Sequence, residues 1–323
     1  MALFEVKNVN ITYHNQDSTV MACRNVSLSV DEEESVGIVG ESGSGKSTLA
    51  MGVIRLLPAY KTVIDGEALF EGKDLLKMSN EELGKYRWKE VSVIFQKSMN
   101  SLSPVHRIGK QMEDIYKVHY PNEDPKVIKE RIIELLKIVN LTERVYMSYP
   151  HDLSGGMMQR VSIALALIFS PKLLIMDEAT TALDVVTQSQ ILGEIMELEK
   201  KLKIARIMIT HDVSVVASTC KRIVVMYAGE IMEQGEVKDV LVNPKHPYTQ
   251  GLLNSFPSFK GERGTLTGIP GSLPDLTKEI PGCAFADRCP FATERCHKEK
   301  PGDYEVSPRW VVRCFKEEVK NNG

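Results

Sequence analysis

The chain has no apolar run long enough to cross a membrane: its most hydrophobic stretch, around Val161 to Phe169, is about half the ~20 residues a spanning helix needs. Any membrane role is expected to be peripheral. It also lacks an excess of one charge. Lys and Arg total 40 against 43 Asp and Glu, a net charge of -3, so no basic bias points to nucleic acid or to an anionic bilayer surface. Low-complexity tracts and internal repeats are missing as well. The stretch from Met1 to His14 sets Glu5 and polar residues among its apolar ones. It therefore lacks the basic start and apolar block of a secretory signal, and the cytoplasm is the expected compartment. Cysteine is scarce. Six in 323 residues are too few and too unevenly placed for a disulfide framework.

What is present is length and rhythm. With 43% hydrophobic residues the chain can build one large core with an appendage, or two modest domains. Short apolar runs with β-branched residues recur at Ser35 to Val39, Val91 to Phe95, Leu173 to Met176, Arg206 to Ile209 and Ile223 to Met226. Helical patterns separate them, which predicts an α/β fold with a largely parallel sheet. The strand-poor stretch 97–169 carries Val127, Ile128, Ile132, Leu135, Leu136 and Val139 at helical spacing and is expected to be an inserted helical subdomain. After Val242 the texture changes, with prolines from Pro244 to Pro301 interrupting every long element. These features predict a main domain over 1–242 and an irregular extension over 243–323.

Two segments carry the chemistry. Gly40-Glu41-Ser42-Gly43-Ser44-Gly45-Lys46-Ser47 fits the phosphate-loop pattern, set after an apolar strand and before the helical run that Thr48 opens. Glycines let the backbone curl so that successive N–H groups converge on phosphates, and the helix aims its positive end at the same place. Lys46 is expected to reach the β- and γ-phosphates, Ser47 to offer its hydroxyl to magnesium, and Thr48 to add a phosphate contact. The second segment is Leu173-Leu-Ile-Met-Asp177-Glu178, an apolar strand ending in two carboxylates. Asp177 suits the magnesium shell, and Glu178 can polarise the attacking water. Alone, such a pair is commonly a solvated turn; beside a phosphate loop it reads as hydrolytic. Arg206 to Asp212 is another apolar strand, ending at His211, a residue able to sense or position the γ-phosphate or simply to make a structural hydrogen bond.

Leu153-Ser154-Gly155-Gly156-Met157-Met158-Gln159-Arg160 does not follow from phosphate-loop physics, yet it closely resembles the signature motif of the ABC transporter ATPases. In chain order the sequence shows what looks like that family's full set. Tyr13 stands as the aromatic that stacks on adenine, Gly40 to Ser47 as Walker A, Gln96 as the Q-loop, Glu178 as the end of Walker B, Ala182-Leu183-Asp184 as the D-loop and His211 as the switch histidine. The resemblance implies a P-loop ABC cassette with a helical signature subdomain, ATP and Mg2+ as ligands, and catalytic roles for Glu178, His211 and Gln96. Gln96 would also touch magnesium with Ser47 and Asp177. It further implies a head-to-tail dimer in which Ser154 and the N–H groups of Gly155 and Gly156 cover ATP held by the other subunit's Gly40, Ser42, Gly43, Ser44, Gly45 and Lys46. Two departures stand out: Ala179 where a proline commonly follows the glutamate, and Met158 where a basic residue is usual.

The extension narrows the likeness. Asn243-Pro-Lys-His-Pro-Tyr-Thr-Gln-Gly-Leu-Leu, Ile269-Pro-Gly-Ser-Leu-Pro-Asp-Leu and Gly282-Cys-Ala-Phe-Ala-Asp-Arg-Cys-Pro-Phe-Ala resemble the C-terminal region of oligopeptide/dipeptide importer ATPases, as does Met99 to Pro104 after the Q-loop. That implies a second ATPase subunit, two transmembrane permeases and an extracytoplasmic solute-binding protein as partners at the cytoplasmic face of the membrane, with no nucleic acid. A soluble ABC ATPase of translation or repair is the rival reading; such proteins usually carry two cassettes or a long coiled-coil insertion, and neither is present. Cys283, Cys289, Cys296 and Cys314 fall in a segment poor in apolar residues, where a metal clip would add stability. The thiols suit an iron–sulfur cluster or structural zinc, with unliganded or disulfide-linked cysteines as the remaining alternative. The absence of a tight Cys-x-x-Cys pair and the subfamily resemblance favour a [4Fe-4S] cluster over zinc.

Overall fold

The computed structural model describes residues 2–15, 18–95, 102–179, 184–255 and 268–317. The chain forms two compact units, Met1–Lys77 with Met208–Gly323, and Met78–Ile207. The five predicted strands are present within a residue or two.

The first unit opens with an antiparallel sheet ordered β2-β1-β4-β5, from β1 (Phe4–His14), β2 (Thr19–Val30), β4 (Thr62–Phe70) and the short β5 (Lys73–Asp74). Alternation along β1 buries Phe4, Val6, Val9 and Ile11, as a strand with one wet face does. A second sheet runs β11-β12-β10-β9-β3, from β3 (Ser35–Val39), β9 (Arg222–Tyr227), β10 (Glu230–Glu236), β11 (Tyr304–Ser307) and β12 (Trp310–Val312). Strands β3 and β9 are parallel, with Val36 opposite Arg222 and Val39 opposite Val225. Both are buried end to end apart from Ser35, and their near-continuous Val and Ile runs fit that position. Gly37 is required here by packing: a Cβ would meet the Val216 methyl groups at 2.4 and 2.6 Å.

The segment after Val242 is less irregular than its prolines suggest. It contains α9 (Pro247–Asn254), α10 (Glu294–Lys298) and the β11–β12 hairpin, the proline of α9 sitting at the first helical position, where no N–H is needed. It also shares a core with the rest of the unit: Tyr248, Leu252, Phe285 and Trp310 pack with Val39, Val213, Val225 and Tyr227. Apolar residues too sparse for a core of their own thus complete a larger one.

The second unit begins with α2 (Asn80–Tyr86), started by a capping box between Ser79 and Glu82. Strands β6 (Val91–Ile94) and β7 (Leu173–Asp177) pair in parallel, Val91 opposite Leu173. Between them lie α3 (Ile108–His119), α4 (Pro125–Ile138) and α5 (Gly155–Ala166). Helix α4 buries Ile128, Ile132, Leu135 and Leu136, whereas Val127, expected in the same stripe, is 46% exposed. It lies one residue before Ile128, about 100° around the helix. Helix α6 (Val185–Leu202) follows, its Asp184 cap accepting the Thr187 N–H at 2.9 Å. Strand β8 (Ala205–Ile209) then carries the chain into the first unit, where the Thr210 N–H meets the Ile38 carbonyl at 3.2 Å. Helices α7 (Val213–Thr219) and α8 (Val237–Val242) complete the first unit.

Candidate nucleotide site

The phosphate loop spans the turn from β3 to α1 (Lys46–Val53), and its glycines are there for backbone reasons. Gly40 has φ 151° and a Cβ would lie 2.1 Å from the Met226 carbonyl oxygen; Gly45, with φ 97°, would meet the Ala22 carbonyl oxygen at 2.4 Å. Any side chain at either position would displace a neighbouring strand or turn. Lys46 is buried and curls back over the loop, donating to the carbonyl oxygens of Gly40 and Glu41 at 2.8 Å each and to the Ser44 hydroxyl at 3.2 Å. A buried ammonium needs such acceptors, and phosphate oxygens are acceptors of the same kind. Ser42, Gly43 and Ser47 are exposed, Ser44 is fully buried, and Thr48 receives the Tyr13 hydroxyl at 3.4 Å. The aromatic of β1 and the first turn of α1 are therefore neighbours.

His211 stands exposed between β8 and α7, followed by Asp212, which caps α7 by accepting the Ser214 N–H at 2.8 Å.

In the second unit, β7 ends at Asp177, which is buried, and Glu178, which is partly exposed. Glu178 has φ 46°, a left-handed conformation uncommon for a non-glycine residue and concentrated at functional turns. Ala179 after it is buried. Ser154 caps α5, its hydroxyl accepting the Met157 N–H at 3.3 Å, and Ser154 and Gly155 are exposed at that helix start. Gly156 has Thr187 of α6 beside it, 3.2 Å from where a Cβ would be. Deeper in α5, Arg160 donates to the Val139 carbonyl at 3.1 Å and pairs with Glu194. Gln96 and the D-loop residues Ala182 and Leu183 lie outside the described residues.

The extension reaches the phosphate loop directly, which sequence reasoning missed. The Glu41 N–H donates to the Tyr248 hydroxyl at 3.0 Å, and both Glu41 carboxylate oxygens accept from Arg288, at 2.8 and 3.0 Å. The signal was available in principle: a carboxylate inside a phosphate-binding loop calls for a cation to offset it.

None of the cysteines is in a disulfide. Cys283, Cys289, Cys296 and Cys314 line one cavity of about 380 Å³, with Arg295 and Lys316 also on its wall. Burial pushes the Cys283 thiol up to about 12 and raises Cys289 and Cys314 as well. Among the described residues no group of three or more His, Cys, Asp or Glu side chains is placed to hold a metal ion. The expectation of a metal centre at these cysteines, iron–sulfur cluster or zinc, therefore finds no support among the described residues. Cys23 is fully buried, where a free thiol packs as a small apolar side chain, and Cys220 is partly buried.

A sequence model of the ABC transporter family matches residues 23–181, and one described as the oligopeptide/dipeptide transporter C-terminal region matches residues 232–296. Curated relatives agree along the whole length. The oligopeptide transport ATP-binding protein OppD of Escherichia coli is 43% identical over 98% of this chain and 93% of its own. The dipeptide transport ATP-binding protein DppD of Lactococcus lactis is 42% identical, over 97% of this chain and 90% of its own. Among solved structures, the dimeric post-hydrolysis ATP-binding cassette MJ0796 bound to ADP and Pi superposes with a TM-score of 0.64 at 30% identity, covering 72% of this chain and 98% of that one. The chain belongs to the ATP-binding subunits of ABC transporters, in the branch that carries the oligopeptide/dipeptide C-terminal region. It has the ABC cassette fold and is an ATPase. Among the described residues no helix is long and apolar enough to cross a membrane.

Proposed function

We propose that this chain is the ATPase engine of an importer for di- or oligopeptides, working at the cytoplasmic face of the membrane with a second ATPase subunit, two permeases and an extracytoplasmic solute-binding protein. The observation that carries the reading is the union in one chain of a phosphate loop closed over a buried Lys46 and a C-terminal region of the oligopeptide/dipeptide type. We assign 1–242 to the nucleotide-binding domain, with its helical subdomain over about 97–169, and 243–323 to the extension.

In the cycle we infer, Mg-ATP enters the loop and Lys46 exchanges the Gly40 and Glu41 carbonyls for phosphate oxygens. Tyr13 receives the adenine. Ser47, Gln96 and Asp177 are the residues that would hold a magnesium ion, which would offset charge on the phosphates. Glu178 takes a proton from the attacking water, and His211 orients the γ-phosphate. Ser154 with Gly155 and Gly156 closes over the ATP of the partner subunit from an exposed helix start suited to anions. ATP holds the dimer closed, and its hydrolysis lets the dimer open.

For the four cysteines the reading is a [4Fe-4S] cluster, with zinc as its rival. A single zinc ion needs its sulfurs about 2.3 Å from one point, whereas an iron–sulfur cluster spreads its thiolate ligands over a wider frame. Four thiols lining one cavity, and the lack of a tight Cys-x-x-Cys pair, are what support the cluster reading. Cys283, Cys289, Cys296 and Cys314 would hold the cluster, and Arg295 and Lys316 would offset its negative charge.

Reconstitution of the chain with its permeases in vesicles tests the function. ATP-dependent peptide uptake is expected, and association with ribosomes or DNA instead of permeases would overturn it. An anaerobic visible spectrum with iron, sulfide and zinc assays tests the cluster. A broad sulfur-to-iron band with about four irons per chain supports it; a colourless protein with stoichiometric zinc replaces it.

A further inference from the structure

Glu41 places a carboxylate inside a loop whose proposed task is to hold a polyanion. Every polar group of that residue is engaged. Its carbonyl oxygen accepts Lys46 at 2.8 Å, its N–H donates to the Tyr248 hydroxyl at 3.0 Å, and its carboxylate takes both terminal nitrogens of Arg288 at 2.8 and 3.0 Å. The first contact lies within the loop; the others come from the C-terminal extension.

Arg288 is built for this post. Its side chain is only 6% exposed and is held on three further sides: Nε donates to the Pro270 carbonyl at 2.8 Å, one terminal nitrogen to the Ile269 carbonyl at 3.1 Å, and the other to the Tyr227 hydroxyl at 3.2 Å. The guanidinium also lies over the Tyr227 ring, 5.5 Å from its centroid. A planar fork fixed in this way matches a carboxylate with two parallel bonds. Leu273 of the same segment reaches to 3.2 Å from the Cβ position of Gly43, so the extension lies along the loop at more than one point.

We propose that Arg288 is a positioning residue for ATP binding: by pairing with Glu41 it removes a like charge from the phosphate loop and fixes the loop's first turn. This rests on the proposed nucleotide role of the loop and adds to it a function for the extension. Charge removal matters because repulsion between a carboxylate and a triphosphate is weakly screened where water is partly excluded. Fixing the turn lowers the ordering cost of binding. Tyr248 contributes to the second effect only.

The test is Mg-ATP affinity, measured by titration on the purified full-length chain, for R288A, E41Q and the double variant. R288A is expected to bind about tenfold more weakly, the loss typical of removing one partner of a charge-assisted pair. E41Q added to R288A should restore most of that loss, because the stranded carboxylate is gone. An arginine that merely held the Ile269 and Pro270 carbonyls would not be rescued from the other side of the pair. R288A binding within twofold of the original chain, or a double variant no better than R288A, overturns the proposal. Should R288A fail to fold, R288Q, which keeps a donor for those carbonyls, is carried through the same series with the same criteria. Failure of the original chain itself to bind Mg-ATP would instead overturn the nucleotide site.

Discussion

The hydroxyl of Tyr248 accepts the Glu41 N–H at 3.0 Å across a separation of 207 residues. The tyrosine is fully buried, its ring 4.7 Å from that of Tyr227 and 5.3 Å from that of Phe285. Y248F keeps these ring contacts and removes only the acceptor. A loss of about 1 kcal/mol in chemical unfolding is expected, while Y248A, which empties the aromatic cluster, should cost about 3–5 kcal/mol. Equal losses for the two would show that the hydroxyl dominates and the packing does not.

Glu178 carries the proposed hydrolytic step. E178Q keeps size and polarity but cannot take a proton, so turnover should fall by about 10²- to 10⁴-fold with ATP binding retained. An ATP-bound dimer should then accumulate, visible in size-exclusion chromatography with multi-angle scattering. Hydrolysis at the original rate would assign the base elsewhere.

His246 gives a pH signature. Complete burial lowers its pKa to about 3, and its Nδ1 accepts the Tyr248 N–H at 3.0 Å at the start of α9. The folded chain therefore resists a proton that the unfolded chain takes up near 6.5. This contribution to stability is full above that pH and is lost as pH falls towards 3, by up to about 1.4 kcal/mol per pH unit. Neighbouring Glu233, whose pKa burial raises, acts in the opposite sense as pH rises through the carboxylate range. H246N keeps an acceptor for the helix cap and isolates the histidine. Its unfolding free energy should fall less steeply on acidification, and an unchanged slope would show that His246 is not the group responsible.

Gly40 separates strain from chemistry. G40A must push its Cβ into the Met226 carbonyl oxygen, 2.1 Å away, at φ 151°, so a lower thermal midpoint is expected together with weaker ATP binding. G72A has open space around it at φ 78° and should cost only the backbone strain of that conformation, about 1 kcal/mol. Similar losses at both positions would mean that the close approach at Gly40 has relaxed.

Much of the fold was legible because the central strands are buried on both faces and so read as continuous Val, Ile and Leu runs. The outer sheet was not, since β1 and β2 alternate and mix polar residues into their exposed faces. Prolines make the extension look irregular in sequence, whereas its aromatic anchors Tyr248, Phe285 and Trp310 gain meaning only when their partners in β9 and β10 are known. In the site, Lys46 and Asp177 followed from pattern and place in the chain. The Arg288 contact did not, because no local pattern ties a residue to one 247 positions away. Ser154 and Gly155 came from family likeness alone, as the chemistry of a helix start does not say which helix faces a partner's ATP.

The β11–β12 hairpin has a bearing on how the protein can be dissected. Strand β12 pairs with β10, Val312 opposite Glu233 and Val311 opposite Gln234, and so occupies what would otherwise be the open margin of the sheet. A chain cut after Val242, where the composition changes, would bare those backbone groups and leave the cluster around Tyr227 without its lid of Tyr248 and Phe285. Such a fragment would be primed to pair with copies of itself. The apparent boundary in the sequence is a seam that the folded molecule has sewn shut.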